Sequence, residues 1–254
     1  MAAKMKLPPI GAQLIVFGKK YPVQENFDRI LDCLSAGGFV GTEGGEKDAG
    51  VTREKLAKRG MRLGGSHTTV RPLSEKTDEL ADWVLAGGAA DLCNSGYLDW
   101  KHETLEQIRH SCDLLNTAGH HLKKRGVRLH YHNHEFEFTK SFEGKSLMDL
   151  TLELLDPAAV DLCVDVAWVY RGGLDPVKFL ADHAERIGYI HLKDWDGTHW
   201  AELGRGKVPI KACLEEIEKN PRIRWVMWEE DESQIDPFEA ATISGEYLKS
   251  IGAI

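Results

Sequence analysis

Residues 160–166, Val160-Asp161-Leu162-Cys163-Val164-Asp165-Val166, form a short β-rich run that is apolar for most of its length and carries a carboxylate, Asp165, near its end. Working outward from this run, the same unit recurs: a brief β-rich segment, a turn of glycine or polar residues, then an amphipathic helix. The candidate strands are residues 13–17, 40–43, 62–67, 91–95, 128–134, 161–166, 189–193 and 224–229. Eight such units are the number a closed (β/α)8 barrel requires. The helices between them carry their own signals. Leu105, Ile108, Cys112 and Leu115 recur at helical spacing within 102–124, and Gly126 marks the end of that stretch. Asp175-Pro176, Val208-Pro209 and Asp236-Pro237 each open a further helix. No linker or low-complexity segment divides the chain, so residues 1–254 are expected to form one α/β domain, a TIM barrel. An open doubly wound sheet fits less well, because no G-x-G-x-x-G follows the first strand and strand-like segments continue to the end of the chain.

Apolar residues make up 42% of the 254 and charged residues 28%, as expected for a chain that folds around a large core. The formal net charge of −8 opposes a nucleic-acid backbone or an anionic membrane as partner and favours small molecules. The first residues lack the apolar run of a signal peptide, and no stretch approaches a membrane span. A cytoplasmic location is the default expectation. Five widely spaced cysteines, Cys33, Cys93, Cys112, Cys163 and Cys213, contain no C-x-x-C pair and read as reduced core thiols, with Cys163 on the strand that carries Asp165.

Functional groups in such a barrel stand where strands give way to the loops that follow them. On the fifth strand His130, His132 and His134 share one face by the two-residue period. Such clustering is unusual for core histidines, which are normally single and hydrogen-bonded. Asp165 ends the sixth strand, where burial without a partner would be costly. A cation, a helix N-cap or a salt bridge would each satisfy it. On the seventh strand His191 and Lys193 project to the same side, and on the eighth Glu229 shares parity with Trp225 and Met227 while Glu230 points away. Successive strands thus offer a histidine or glutamate, then Asp165, His191 and Glu229. This mixed nitrogen and oxygen set suits Mn²⁺, Co²⁺, Zn²⁺ or Mg²⁺ better than a soft metal.

These residues resemble the xylose-isomerase-like TIM barrel superfamily, in particular its sugar phosphate isomerase/epimerase branch of ketose 3-epimerases, inosose isomerases and dehydratases. The resemblance spans almost the whole chain. It rests on Gly38-Phe39-Val40-Gly41-Thr42-Glu43, Tyr131-His132-Asn133-His134-Glu135-Phe136-Glu137-Phe138, Cys163-Val164-Asp165, His191-Leu192-Lys193-Asp194, Glu202-Leu203-Gly204-Arg205-Gly206 and Trp228-Glu229-Glu230-Asp231. It implies a single divalent cation, often Mn²⁺, held by a glutamate, an aspartate, a histidine and a second glutamate. The last three correspond to Asp165, His191 and Glu229. Many relatives carry Glu-Asn-His where this chain has His132-Asn133-His134. The fourth ligand is then His132, which strand parity favours, or Glu135 or Glu137 from the loop.

The resemblance implies a metal-dependent sugar isomerase or epimerase that abstracts a proton next to a carbonyl through a metal-stabilised enediolate. His134, with Glu137 as the alternative, is expected as base or acid, and Lys193 is expected to polarise a substrate oxygen. Glu43, His67, Trp195 and Arg205 are expected to line the pocket, and Trp195 and Trp200 either stack on a sugar face or pack the loop. The same apparatus makes a lyase or dehydratase on a keto-sugar or inosose, including 3-keto-glycoside cleavage, when a leaving group lies β to the carbonyl. The His-Asn-His of strand five leans that way. A non-catalytic sugar-binding barrel is a further alternative. A DNA repair endonuclease of the same barrel type is opposed by the net charge. The partner expected is a sugar or keto-sugar, phosphorylated or not, and a homo-oligomer is left open.

Overall fold

Residues 160–165 form a strand that lies parallel between Arg128–His132 and Ile187–Leu192, with Leu162 opposite Tyr131 on one side and Asp165 opposite His191 on the other. The computed structural model describes residues 4–254. Its eight parallel strands are β1 (Ile10–Gln13), β2 (Gly41–Glu43), β3 (Arg62–Thr69), β4 (Asp91–Ser95), β5 (Arg128–His132), β6 (Val160–Asp165), β7 (Ile187–Leu192) and β8 (Val226–Trp228). β8 pairs with β1 and closes the barrel. Among the described residues no helix is long and apolar enough to cross a membrane.

The helices form where the capping chemistry directs. The helix Leu105–Lys124 begins at Thr104, whose hydroxyl accepts from Gln107 N while the Gln107 side chain returns to the Thr104 amide. It buries Ile108, Cys112, Leu115 and Leu122 against the barrel. Asp175 and Asp236 cap the helices Pro176–Asp182 and Pro237–Ser250, each with proline at the first helical position. At Val208-Pro209 the proline instead takes the cap position of the helix Ile210–Ile217.

One strand lies elsewhere than its hydrophobicity suggests. The apolar segment from Ile15 to Phe17 is the better strand former by composition, yet the barrel uses Ile10–Gln13, and Ile15–Gly18 is a short helix. The cause is space inside the barrel. Cys93, Tyr189, Cys163, Trp225 and Met227 pack together in a buried cluster of their own, and the strands facing it must be small. A Cβ on Gly11 would stand 2.7 Å from Met227 Sδ, and one on Gly64 2.1 Å from Met227 Cε. At Gly41 the conflict would be with backbone: its Cβ would lie 2.4 Å from the Arg62 carbonyl oxygen as well as 2.6 Å from the Trp225 ring. Gly41→Ala is therefore expected to cost about 3 kcal/mol, the upper part of the overpacking range, because a sheet carbonyl cannot step aside. A denaturant midpoint unchanged from the wild type would refute this account of the small β1 and β2 residues.

Candidate active site

The mouth of the barrel is built from strand ends and the first residues after them. Glu43 closes β2, Ser95 closes β4, His132 closes β5 and Asp165 closes β6; His191 lies one residue before the end of β7, and Glu229 follows β8. His67 lies within β3, whose strand runs on to Thr69. His132, Asp165, His191 and Glu229 are all buried, and each brings one donor atom to within 4.8 Å of the others. Glu43, His67 and His191 make a second such group on the adjoining side.

His191 is the hinge between the two groups. Its Nε2 stands 2.9 Å from Glu43 Oε2, and its Nδ1 meets Glu229 Oε2. Burial alone would lower its pKa, but Glu43 and Glu229 outweigh burial and hold it well above the usual imidazole value. Conversely, burial pushes the Glu43 carboxyl up, while His191 and His67 pull it further down, leaving it below the ordinary range. His67 Nδ1 lies 2.9 Å from Glu43 Oε1, and its other nitrogen meets the Ser95 hydroxyl.

Asp165 does two things at once. Its Oδ1 accepts from the amides of Ala167 and Trp168 at 2.9 and 3.0 Å, capping the helix Val166–Arg171. Its Oδ2 is buried without a hydrogen-bond partner, although the Lys193 ammonium is 3.1 Å away as a charge partner. The cap and the salt bridge anticipated from the sequence therefore both exist, on different oxygens. Asn133 ties β5 to β6 here, accepting from Asp165 N at 3.0 Å and donating to Asp165 O at 3.3 Å.

Lys193 is wholly buried and sits among Asp165, Glu229 at 3.5 Å and Asp231 at 2.7 Å. Burial draws its pKa down, and the three carboxylates more than reverse this, so it is firmly cationic. Burial also pushes Asp165 up, to about 6, against the pull of Lys193. Four carboxylates, Glu43, Asp165, Glu229 and Asp231, thus share one lysine and the His191 imidazole. A divalent ion among the buried donors would balance that excess and engage the orphaned Asp165 oxygen, so the residues present fit such a group. His132 fits as well, because burial, aided by the nearby His191, keeps it far below the usual imidazole value and therefore neutral.

The three histidines of β5 have separate surroundings. His130 is a core residue 2.9 Å from Asp91, which Arg224 also contacts at 3.0 Å. His132 belongs to the four-residue group. His134 lies past the strand end, its ring centroid 4.9 Å from that of His132 and 5.4 Å from both Trp100 and Trp168. Its Nδ1 is buried without a partner. Burial, reinforced by Lys193, lowers its pKa to about 3, so the ring is neutral.

Other expected residues are placed less centrally. Glu137 is fully buried and accepts from Tyr131 OH and His134 N, both at 2.8 Å, so both oxygens brace the loop that presents His134. Glu135 pairs with Arg171 at 2.9 Å. Neither joins the four-residue group, which takes His132. Arg205, expected in the pocket, is mostly exposed and pairs with Glu202 at 3.4 Å. The neighbouring Gly204 and Gly206 amides are held by Asp194 Oδ2, each at 3.0 Å. Trp195 and Trp200 share the Arg171 guanidinium with Trp168, at 5.1, 4.9 and 4.6 Å from the ring centroids. Lys193 Nζ lies 4.7 Å from the Trp200 centroid and 5.2 Å from that of Trp168. Trp168, Ser95 and Asp231 are additions to the expected site, and of these Ser95 stood at a strand end already. Trp168 had a signal, since it lies three residues after a helix-capping aspartate.

The model for the xylose isomerase-like TIM barrel family matches residues 54–251. The chain belongs to that family. Among curated members it is 29% identical over 192 residues to an inosose dehydratase of Geobacillus kaustophilus (strain HTA426), an alignment covering 66% of this chain and 61% of that one. The shared region thus spans about three-fifths of that relative's length. Among solved structures, a sugar phosphate isomerase/epimerase from Parabacteroides distasonis ATCC 8503 superposes with a TM-score of 0.80 at 20% identity, covering 98% of this chain and 96% of that one. An L-ribulose 3-epimerase superposes with a TM-score of 0.75 at 15% identity, covering 96% and 94%. At these identities the structural likeness speaks for the barrel fold.

Proposed function

We propose that this family member is a divalent-metal-dependent enzyme that removes a proton from the carbon next to the carbonyl of a keto-sugar or inosose. The observation that carries the reading is the convergence of His132, Asp165, His191 and Glu229 in one buried group beside a neutral, unpartnered His134. A bound divalent ion, Mn²⁺ foremost, would supply positive charge that draws electrons toward the substrate carbonyl and so acidifies the adjacent C–H. His134 takes that proton, Lys193 faces the oxygen on which negative charge develops, and Glu137 positions the His134 loop. Trp168 and Trp200 offer apolar faces to the sugar and keep water from the reacting carbon.

The fate of the resulting carbanion separates two activities. If a proton returns, the product is an isomer or epimer. If a hydroxyl group β to the carbonyl departs, the C–O bond breaks, a C=C bond forms, and the oxygen leaves as water after gaining a proton. The inosose dehydratase relatives support elimination as the second reading.

Incubation of the Mn²⁺-loaded protein with ketoses, inososes and 3-keto-glycosides in D₂O tests both. Deuterium next to the carbonyl of recovered substrate or isomer supports proton abstraction, and loss of water or of the glycosyl substituent identifies the lyase. His134→Ala is expected to lower turnover by about 10²–10⁴-fold, the span of a general base, with metal content unchanged. Undiminished exchange in that variant would remove His134 from the chemistry. A protein that neither retains nor rebinds a divalent ion would instead be a sugar-binding barrel.

A further inference from the structure

Directly beneath the mouth, Cys93 of β4, Cys163 of β6 and His191 of β7 each present a donor atom within 4.8 Å of the others, and all three are completely buried. Cys163 Sγ is also 3.8 Å from Nδ1 of His132, which adds a second imidazole to the two thiols. The thiols are not placed to bridge each other. β5 separates β4 from β6, so their backbones stand about 9–10 Å apart at the ordinary strand spacing, beyond the roughly 7 Å that a disulfide spans. Two thiols that meet across a barrel without being able to oxidise together, flanked by two imidazoles, form the donor set of a tetrahedral Cys₂His₂ metal site. Ligand atoms around Zn²⁺ with Zn–S bonds of about 2.3 Å stand about 3.8 Å apart, so the Cys93, Cys163 and His191 donors need to contract by no more than about 1 Å, while His132 Nδ1 already stands at 3.8 Å from Cys163 Sγ and closes on the ion as the fourth ligand.

We propose that Cys93, Cys163, His132 and His191 form a second metal position under the mouth, specific for thiophilic ions such as Cd²⁺ or Zn²⁺. Binding releases the two thiol protons and one proton from the His191 imidazolium to solvent, and leaves two thiolate–metal and two imidazole–metal bonds. The position shares both imidazoles with the His132, Asp165, His191 and Glu229 group above it, so the two cannot be filled together. A soft ion drawn to the thiols thereby withdraws His132 and His191 from a hard ion. The sulfur site rests on its own donor atoms and stands whether or not the upper group proves catalytic.

The test is titration of metal-free protein with Cd²⁺, followed by thiolate-to-cadmium charge-transfer absorption in the ultraviolet. One Cd²⁺ per chain should produce the band, Cys163→Ala should cut it to about half, and Cys93→Ala/Cys163→Ala should abolish it. If the double variant does not fold, the single variants decide: Cys93→Ala and Cys163→Ala should each cut the band to about half, and an undiminished band in either overturns the proposal. Cadmium binding without the band overturns the proposal. So does a band that survives in the double variant, which would arise from Cys33, Cys112 or Cys213. A parallel titration of Mn²⁺-loaded protein should release Mn²⁺ as the band grows; band growth with Mn²⁺ still bound would overturn the mutual exclusion. Failure of Mn²⁺ to bind at the outset would count against the proposed function and leave the cadmium result intact.

Discussion

Lys193→Met is expected to reduce turnover to background and to lower folding stability by about 3–5 kcal/mol, the cost of leaving buried charges without their partner. Asp165 at 3.1 Å, Glu229 at 3.5 Å and Asp231 at 2.7 Å all face its ammonium, and Asp165 and Glu229 have almost no access to solvent. Methionine keeps the volume and the contacts with Trp168 and Trp200 but supplies no charge. The stability loss is therefore electrostatic, and a divalent ion should recover part of it. Denaturant unfolding with and without Mn²⁺ measures both quantities. A variant as stable as the wild type in the absence of metal would show that the carboxylates are neutralised in some other way.

Stripping divalent ions is expected to abolish turnover, and restoring Mn²⁺ at a hundredfold excess over its dissociation constant should raise stability by about 2.7 kcal/mol through mass action. Asp165→Asn provides the control. Asparagine is as good a helix cap as aspartate, so the bonds from Ala167 and Trp168 to Oδ1 survive, and Lys193 loses Asp165 but keeps Glu229 and Asp231, so the metal-free loss should stay below the roughly 3–5 kcal/mol expected for Lys193→Met. The metal-dependent increment should vanish with the second carboxylate oxygen. If Mn²⁺ stabilised Asp165→Asn as strongly as the wild type, Asp165 would not be a ligand, and the ion would be held elsewhere.

The barrel was legible because each βα unit repeats the same physical bargain between a buried strand and a capped amphipathic helix. The converging groups were legible because strand parity fixes where a side chain points. Parity carried His132 and Asp165 to one mouth from the ends of two adjacent strands. It failed beyond strand ends: β5 stops at His132, so His134 is placed by the Glu137 brace, which depends on Tyr131 and on loop conformation. Arg205 is likewise set by a loop, whose glycine amides bind Asp194 and turn the arginine outward. β1 was misplaced for another reason. Its small residues are required by Met227 and Trp225, which arrive more than two hundred positions later, and local composition contains no record of that demand.

Asp165 has a consequence for how this site can change over time. One oxygen starts a helix and the other faces Lys193 and the donor group, so the carboxylate is already oriented before any ligand arrives. A lineage that lost its substrate would still be selected to retain the residue, or to exchange it only for asparagine, for the sake of folding. The indole rings of Trp168, Trp195 and Trp200 pack on the Arg171 guanidinium and start no helix. New specificities should therefore arise by turnover of Trp168, Trp195 and Trp200 around a fixed aspartate, and an inactive descendant would still look, at this position, like a working enzyme.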